Sequence, residues 1–395
     1  MSRLSDYVNS MNDNPMQIKI GGKTVESYSH HAVKQRREVV SINASTAVPT
    51  NVLAGGQLEF RLEDQVDRLS HVDLRVNWAS TATPPVVAFP QAWIESVQIY
   101  SDNGSTLLYQ SNASLENYVI DGLTQSFTEN INSAGVRGTN TTYASGTLTL
   151  PTNTFGFFYI PLATQFWRAT HIRPYSIQGN LIIRVKFATA ALNIVSGAIT
   201  TPSVDLRAVH FRESPEQKQW IISRAMNPKA IWYHAPQRHI EQITINGINP
   251  VKVRLSGLKG DAICLMVMLR AVADLSNPAS QFTFQLLETY EILNAEDQSI
   301  VGYNPVRRDE AQLIYGRMFD NTFFPTVGAI LHSFSQTPKH DLIRGTIGGF
   351  ERFSGFHSIR ITPTGLPNGA YELFVIAMCA EAMHIVGGRV RTTRS

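Results

Sequence analysis

"SVQIYSDNGSTLLYQ" (Ser96–Gln110) and "TYEILNAEDQSIVGY" (Thr289–Tyr303) carry one plan twice. In each, apolar and polar residues alternate along a strand, a polar turn follows, and a short second strand returns. Each is succeeded by a stretch with helical spacing: "SLENYVIDGLTQSF" (114–127), with Leu115, Tyr118, Val119 and Leu123 on one stripe, and "RRDEAQLIYGRMF" (307–319), with Ala311, Ile314, Tyr315 and Met318. Ile99 and Ile292 stand 193 residues apart, and the helix glycines Gly122 and Gly316 stand 194 apart. Further on, "IIRVKF" and "SIRITP" align Ile183 with Ile359, an interval of 176. The first unit therefore holds about 17 more residues between its helix and this strand. The polar stretch "TENINSAGVRGTNTTYASG" (128–146) has the composition of an exposed insertion loop and accounts for them.

Around this repeat the period is two. "QLEFRL", "VDLRVNW", "WIESVQIY", "GTLTL", "FGFFYIPL", "LIIRVKF" and "VDLRAVHF" are short, β-branched or aromatic, and bounded by turn residues. After residue 228 strands resume with "IWYHAPQ", "IEQITI", "VKVRLSG", "AICLMVMLRAV", "QFTFQLLETYEIL", "AILHSFS", "SIRITP" and "YELFVIAMCAEAMHIVG". Many short strands at even spacing predict sandwiches. Between the two sets, "SPEQKQWIISRAMNP" (214–228) reads as a helix: Ser214 as N-cap, Pro215 at the first helical position, Gln217 closing a capping box, and Asn227-Pro228 as the stop. Trp220 and Ile221 would pin it to one domain. The expected fold is all-β: two tandem eight-stranded jelly-roll sandwiches, each with a short inserted helix. The expected divisions are an N-terminal arm (1–37), a first jelly roll (38–213), a linker helix (214–228), a second jelly roll (229–388) and a basic C-terminal tail (389–395). In the arm, Leu4, Tyr7, Val8 and Met11 have the spacing of a short amphipathic helix, and the arm ends in the basic cluster "KQRRE".

Composition narrows the function. The 395 residues suffice for two domains. They are 43% hydrophobic but only 16% charged, which suits a surface partly covered by neighbours, and a net charge of +3 argues against a dedicated nucleic-acid binder. Cys264 and Cys379 lie in apolar runs and read as buried reduced thiols; with no signal-peptide core or membrane-length apolar run, synthesis in a reducing cytoplasm is expected. The four Asn-x-Ser/Thr matches at Asn43, Asn103, Asn112 and Asn140 then have no glycosylation role.

Motifs for chemistry are weak. "GGKT" (21–24) lacks the glycine a phosphate loop needs at position 17, which is Gln17. His30-His31 and the pair His234 and His239 lack metal-site spacing, and neither a GxSxG nor an HExxH pattern occurs. Glu288, Glu291, Glu296 and Asp297 are the densest carboxylates, but a solvated turn explains them as well as a glycosidase pair would. The aromatic stretches "FGFFYIPLATQFW" and "NTFFPTVG" read as sandwich core or subunit contact rather than sugar platforms. No catalytic residue, cofactor or metal is expected, and no enzyme activity.

The segment "FFYIPLATQFWRATHIRPYSIQGNLIIRVKF" (157–187) resembles part of the double jelly-roll major capsid proteins of tailless icosahedral DNA viruses. "WIESVQIYSDNGSTLLYQ" and the closing "AYELFVIAMCAEAMHIVGGRVR" are similar to that family too. The resemblance spans about 38–390 and implies a homotrimeric capsomer with a pseudo-hexagonal outline, which tiles an icosahedral virion shell. It implies as partners further trimers, minor capsid and vertex proteins, and an internal lipid membrane reached by the N-terminal arm. On this reading Trp167, Trp220 and Trp232 are packing or interface residues, while Lys34, Arg36, Arg37, Arg389, Arg391 and Arg394 make inward-facing basic contacts. If Trp220 fills the domain junction, its truncation to Ala should cost roughly 3–5 kcal/mol. Outer towers of some family members have only short counterparts here, at 128–146, 188–203 and 363–370. The alternative reading is a secretion-independent two-domain β-sandwich that binds or acts on glycans, for which a facing carboxylate pair would be the signature.

Overall fold

The computed structural model describes residues 15–20, 23–28, 36–46, 55–63, 65–88, 90–124, 147–224, 231–301, 306–307, 328–337, 341 and 348–393. The N-terminal stretch read as an arm contains a hairpin, β1 (Pro15–Ile20) paired antiparallel with β2 (Lys23–Tyr28). Lys23 and Thr24 of "GGKT" thus open a strand, where a phosphate loop would open a helix. The stripe from Leu4 to Met11 lies outside the described residues. Arg36 and Arg37, assigned to the arm, belong to a sandwich strand.

The first roll is built from β3 (Arg36–Asn43), β4 (Gln57–Leu62), β5 (Arg68–Ser80), β6 (Val86–Ala88), β7 (Ile94–Ser101), β8 (Thr106–Ser111), β9 (Thr147–Thr149), β10 (Phe155–Pro161), β11 (Leu181–Phe187), β12 (Ile194–Ser196) and β13 (Ile199–Arg212). Helix α1 (Ser114–Thr124) follows β8, and α2 (Thr164–Thr170) lies between β10 and β11. The order β10-β5-β13-β3 makes one sheet and β4-β11-β7-β8 the other, while β12-β6-β9 form a small third. In β5, Val72, Leu74, Val76 and Trp78 are buried and the residues between them are half-exposed, so period-two alternation places one face inward.

The connecting helix is α3 (Pro215–Arg224). Its capping box forms as expected: the Gln217 amide donates to Ser214 Oγ at 3.3 Å, and the Ser214 amide donates to Gln217 Oε1 at 2.8 Å. The second roll comprises β14 (Ile231–Ile245), β15 (Val251–Arg254), β16 (Lys259–Ala271), β17 (Leu287–Leu293), β18 (Val306–Arg307), β19 (Ile330–Ser333), β20 (Glu351–Ser354), β21 (Ser358–Pro363), β22 (Gly369–Val386) and β23 (Arg389–Thr392). Its sheets run β14-β22-β16-β19 and β15-β21-β17-β18, with β20 on β16 and β23 on β22. Setting β6, β9, β12, β20 and β23 aside and ranking the remaining strands of each roll by chain order, both have the sheet orders 1-8-3-6 and 2-7-4-5. That shared order is a jelly roll in duplicate.

Strand register bears out the repeat. Ile183 pairs with Ile99 in the first roll, and Ile359 pairs with Ile292 in the second. Their other partners, Phe60 and Val253, also stand 193 residues apart. The insertion loop at 128–146 lies outside the described residues, as does the stretch read as a helix at 307–319 except for Arg307, which ends strand β18.

Four local expectations need correction. "IWYHAPQ" and "IEQITI" are one strand, β14, which runs through Pro236; β14 is an edge strand pairing only β22, so the proline leaves no ladder partner unsatisfied. "QFTFQLLETYEIL" becomes a strand only from Leu287. The first roll carries a second helix, α2, between Pro161 and "LIIRVKF", beyond the single inserted helix expected of each roll. Last, the basic tail is no free end: Gly387 and Gly388 turn at positive φ, and Arg389–Thr392 pairs back on Met383–Val386 with Val390 buried.

Candidate assembly surfaces

The two rolls meet through a shared core. On the second roll's β16 and β22, Leu265, Val267, Leu269, Leu373, Val375 and Ala377 face their own sandwich. The intervening Cys264, Met266, Met268, Phe374, Ile376 and Met378 join the apolar cluster of the first roll. All twelve are at most 1% exposed, so this sheet is buried on both faces. The first roll covers it with α2. Phe166 stands edge-on to Tyr233 of β14 with centroids 5.2 Å apart, and the Tyr233 hydroxyl donates to the Leu108 carbonyl of β8 at 2.6 Å. Trp167 is fully buried, and its indole N–H donates to the Leu162 carbonyl at 2.7 Å. Ala163 and His171 bracket α2 in the left-handed region at φ 48° and 42°, a conformation that costs non-glycine residues energy and is held here by the packing around the helix.

Helix α3 attaches to the first roll by polar contacts. Lys218 Nζ lies 2.5 Å from Asp67 Oδ1, whose other oxygen accepts from the Glu213 amide. Glu213 in turn holds Arg173 at 3.0 Å and the Tyr175 hydroxyl. Trp220 is half-buried, so it does not sit in the buried cluster joining the rolls. Trp232, near the start of β14, is 44% exposed and is no core residue of its own chain. Of the three tryptophans, only Trp167 belongs to the buried cluster that spans both rolls.

The basic residues are dispersed. Arg37 is exposed on β3 with its guanidinium 5.2 Å from the Phe211 ring centroid, while Arg68 lies 4.6 Å from the same ring. Burial, and then the nearby Arg173, pull Arg68 down to about 10. Arg36 pairs through its backbone with Arg212. Arg389 and Arg391 project exposed from β23 of the second roll, whereas Arg37 lies on β3 of the first; Lys34 and Arg394 lie outside the described residues.

A surface that reading the sequence did not single out is the outward face of the β10-β5-β13-β3 sheet. Asp205 at its centre accepts from Arg75 at 2.7 Å, Arg207 at 2.9 Å and the Ser41 hydroxyl at 2.6 Å. Beside this network Val39, Phe155 and Phe157 are exposed, with Phe157 edge-on to Tyr159 at 5.3 Å. The alternation in "FGFFYIPL" was the available signal: if Phe158 and Ile160 point inward, Phe155 and Phe157 must point out.

Candidate catalytic groups are engaged structurally. His234 Nε2 is 2.9 Å from the Asp341 carbonyl, and His239 Nε2 is 3.0 Å from Glu241. Glu291 is paired with Arg360 and Asp297 with Lys252. Both cysteines are free and buried, and burial, with Cys379 adjacent, holds the Cys264 thiol far above its ordinary range. No group of three or more His, Cys, Asp or Glu has a metal-binding arrangement among the described residues, and no helix among them is long and apolar enough to cross a membrane. A cleft of about 290 Å³ lies where the rolls meet, lined by Gln110, Asn112, Glu116, Gln237, Arg238 and Gly257. Its one carboxylate, Glu116, lies 3.7 Å from Arg238 and faces no second acid across the cleft.

No protein-family model matches the chain, and no curated protein matches it in sequence. Among solved structures, the chain is similar to PBCV-1 VP54, in a crystal structure fitted into a reconstruction of the virophage Sputnik, with TM-score 0.71 and 10% identity over 93% of this chain and 99% of that one. It is similar to the Faustovirus major capsid protein, with TM-score 0.68 and 11% identity over 91% and 92% of the two chains. A chain of the Sputnik virophage structure matches with TM-score 0.56 and 11% identity over 96% and 93%. At such identities the likeness is one of fold, a double jelly roll matched end to end.

Proposed function

We propose that this chain is a major capsid protein, a non-enzymatic building block of an icosahedral virion shell. The observation that supports the reading best is the fusion of two rolls of identical topology through a shared apolar cluster, over a length that matches the PBCV-1 and Faustovirus chains almost completely. A duplicated scaffold suits a tile, because three such chains present six similar lateral faces and pack as a pseudo-hexagon. The low charge fraction fits large subunit contacts. In this reading the chain is made in the host cytoplasm and resides in the shell, its trimers contact one another and minor or vertex proteins, and Lys34, Arg36 and Arg37 face inward, where an internal membrane would meet them.

Light scattering on the purified protein tests it. The expected result is a dilution-resistant particle near three times 43.9 kDa, with a hexagonal outline when imaged. A monomer at every concentration would sink the proposal, and the polar cleft beside Glu116 would then be the place to look for a glycan.

A further inference from the structure

We infer that His210 is an acid-released latch on helix α3: while its ring is neutral it holds the Asp67 turn that anchors the helix, and protonation of the ring lets the helix go. The inference goes beyond the shell reading and stands whether or not the chain assembles.

The parts of the latch meet at the end of β13, just before the chain enters α3. His210, 2% exposed, stands between Glu38 on β3 and Leu69 on β5. The Asp67 amide, just ahead of β5, donates to His210 Nδ1 at 3.1 Å. A nitrogen that accepts carries no proton, so this bond fixes the neutral tautomer with its hydrogen on Nε2. Nε2 is itself buried and makes no hydrogen bond among the described residues. A second proton would set an Nδ1–H against the Asp67 N–H, donor facing donor, and the imidazolium cannot keep the bond.

What that bond positions is Asp67, 3% exposed. One of its carboxylate oxygens lies 2.5 Å from Lys218 Nζ of α3, and the other accepts from the Glu213 amide at 2.8 Å. One residue thus grips both the entry to α3 and a side chain within it. Groups of both signs face the ring. Asp67 and Glu38 favour the imidazolium, while Arg212 on β13 and Lys218 on α3 oppose it; burial outweighs them all and holds the ring below the ordinary 6.5. Beyond them Arg68, His171, Arg173, Tyr175 and Glu213 complete one charged cluster.

The direction of the pH effect follows. A ring that titrates near 6.5 once released, and lower while latched, binds more protons when released. The latch is complete above 6.5 and weakens as pH falls below it. The two rolls stay joined by their apolar cluster, whose burial does not depend on pH, so acid frees the connecting helix without parting them.

Hydrogen–deuterium exchange of the full-length chain, read by mass spectrometry at about pH 7.5 and about pH 5 and corrected for intrinsic rates, tests the latch. Peptides covering 213–224 should exchange faster at the lower pH, by up to about thirtyfold, the limit for a ring that titrates near 6.5 when released and stays neutral when latched. Peptides of β5 and β16 should keep their protection. Exchange at the His210 ring carbon between the two nitrogens, read on the same protein without any variant, should show the ring gaining its proton over the pH range in which α3 opens. His210→Asn places a carboxamide oxygen close to the position of Nδ1 and takes up no proton, so it should keep the Asp67 bond and abolish the pH effect. Equal protection of 213–224 at both pH values overturns the latch. So does opening that spreads equally to β5 and β16, ring exchange that does not follow the opening, or a His210→Asn chain that opens as the wild type does.

Discussion

Strands β5 and β16 hold the same place in their rolls, yet one reads RLSHVDLRVNWAS and the other KGDAICLMVMLRA. In β5 the residues facing away from the sandwich are His71, Asp73, Arg75 and Asn77; in β16 they are Cys264, Met266 and Met268. The eighth strands repeat the contrast, with Asp205 and Arg207 on β13 against Phe374, Ile376 and Met378 on β22. Topology is identical, so strand position does not explain the difference. What differs is cover: the second sheet has the first roll on its back, whereas among the described residues Arg75 and Asn77 on the outward face of the first sheet stay half-exposed. Unbroken apolar runs in an antiparallel strand therefore mark a sheet with both faces covered, and alternation marks one whose second face is wet or reserved for polar contact.

Charge insertion is the harshest way to break the comparison. Met266→Asp would bury an unpaired carboxylate between the rolls and should cost more than about 4 kcal/mol, enough to lose the folded protein. Asn77→Asp, on the equivalent outward face of β5, should change stability by less than about 1 kcal/mol because that site is half-exposed. Thermal melts of the two variants check the contrast, and equal effects would refute the account of cover. Next in size, Trp167→Ala removes a fully buried indole and the bond to Leu162, and should cost about 3–5 kcal/mol in chemical denaturation.

Acid offers a subtler probe of the second core. Burial pushes His332 down to about 4, and its Nδ1 shares a 2.8 Å hydrogen bond with the Tyr290 hydroxyl. In the unfolded chain this ring titrates near the ordinary 6.5, so between 6.5 and about 4 the unfolded state binds more protons. Stability from this group is complete above 6.5 and falls as pH drops through that window, by up to about 3 kcal/mol. His332→Phe should flatten the dependence of the denaturation midpoint on pH between 6.5 and 4; an unchanged slope would mean the ring is not held neutral.

The jelly-roll plan was legible because it rests on period and punctuation. "QLEFRL", "LIIRVKF" and "SIRITP" occupy β4, β11 and β21 end to end, and the equivalence of Ile99 with Ile292 is a pairing fact. The parts that escaped depend on tertiary contact. "TQFWRAT" is two turns long, has no capping side chain, and stands between left-handed Ala163 and His171; only the second roll's sheet makes a helix favourable there. Strand β14 crosses Pro236 because it lies on an edge, and edge status is a property of the assembled sheet. The outward face of the first sheet was half legible: alternation points Phe155 and Phe157 outward, but nothing in the chain's order tells which sheet the first roll covers.

Trp220 sharpens the comparison from the other side, because sequence alone ranks it equal to Trp167. Both stand on short helices between strands, and both are flanked by an apolar residue. The difference is what surrounds the helix. Helix α2 is packed between two rolls, whereas α3 lies on the first roll through Lys218, Asp67 and the buried Gln217, with Ile222 52% exposed on the same element. A half-buried indole loses only part of its transfer free energy on truncation, and the capping box of α3 survives the change. Trp220→Ala is therefore expected to cost about 1–2 kcal/mol rather than the 3–5 of a junction residue. A measured loss as large as that of Trp167→Ala would mean that α3 is covered by something beyond the described residues, and footprinting Trp220 in dilute and concentrated protein would tell cover by the same chain from cover by a neighbouring copy.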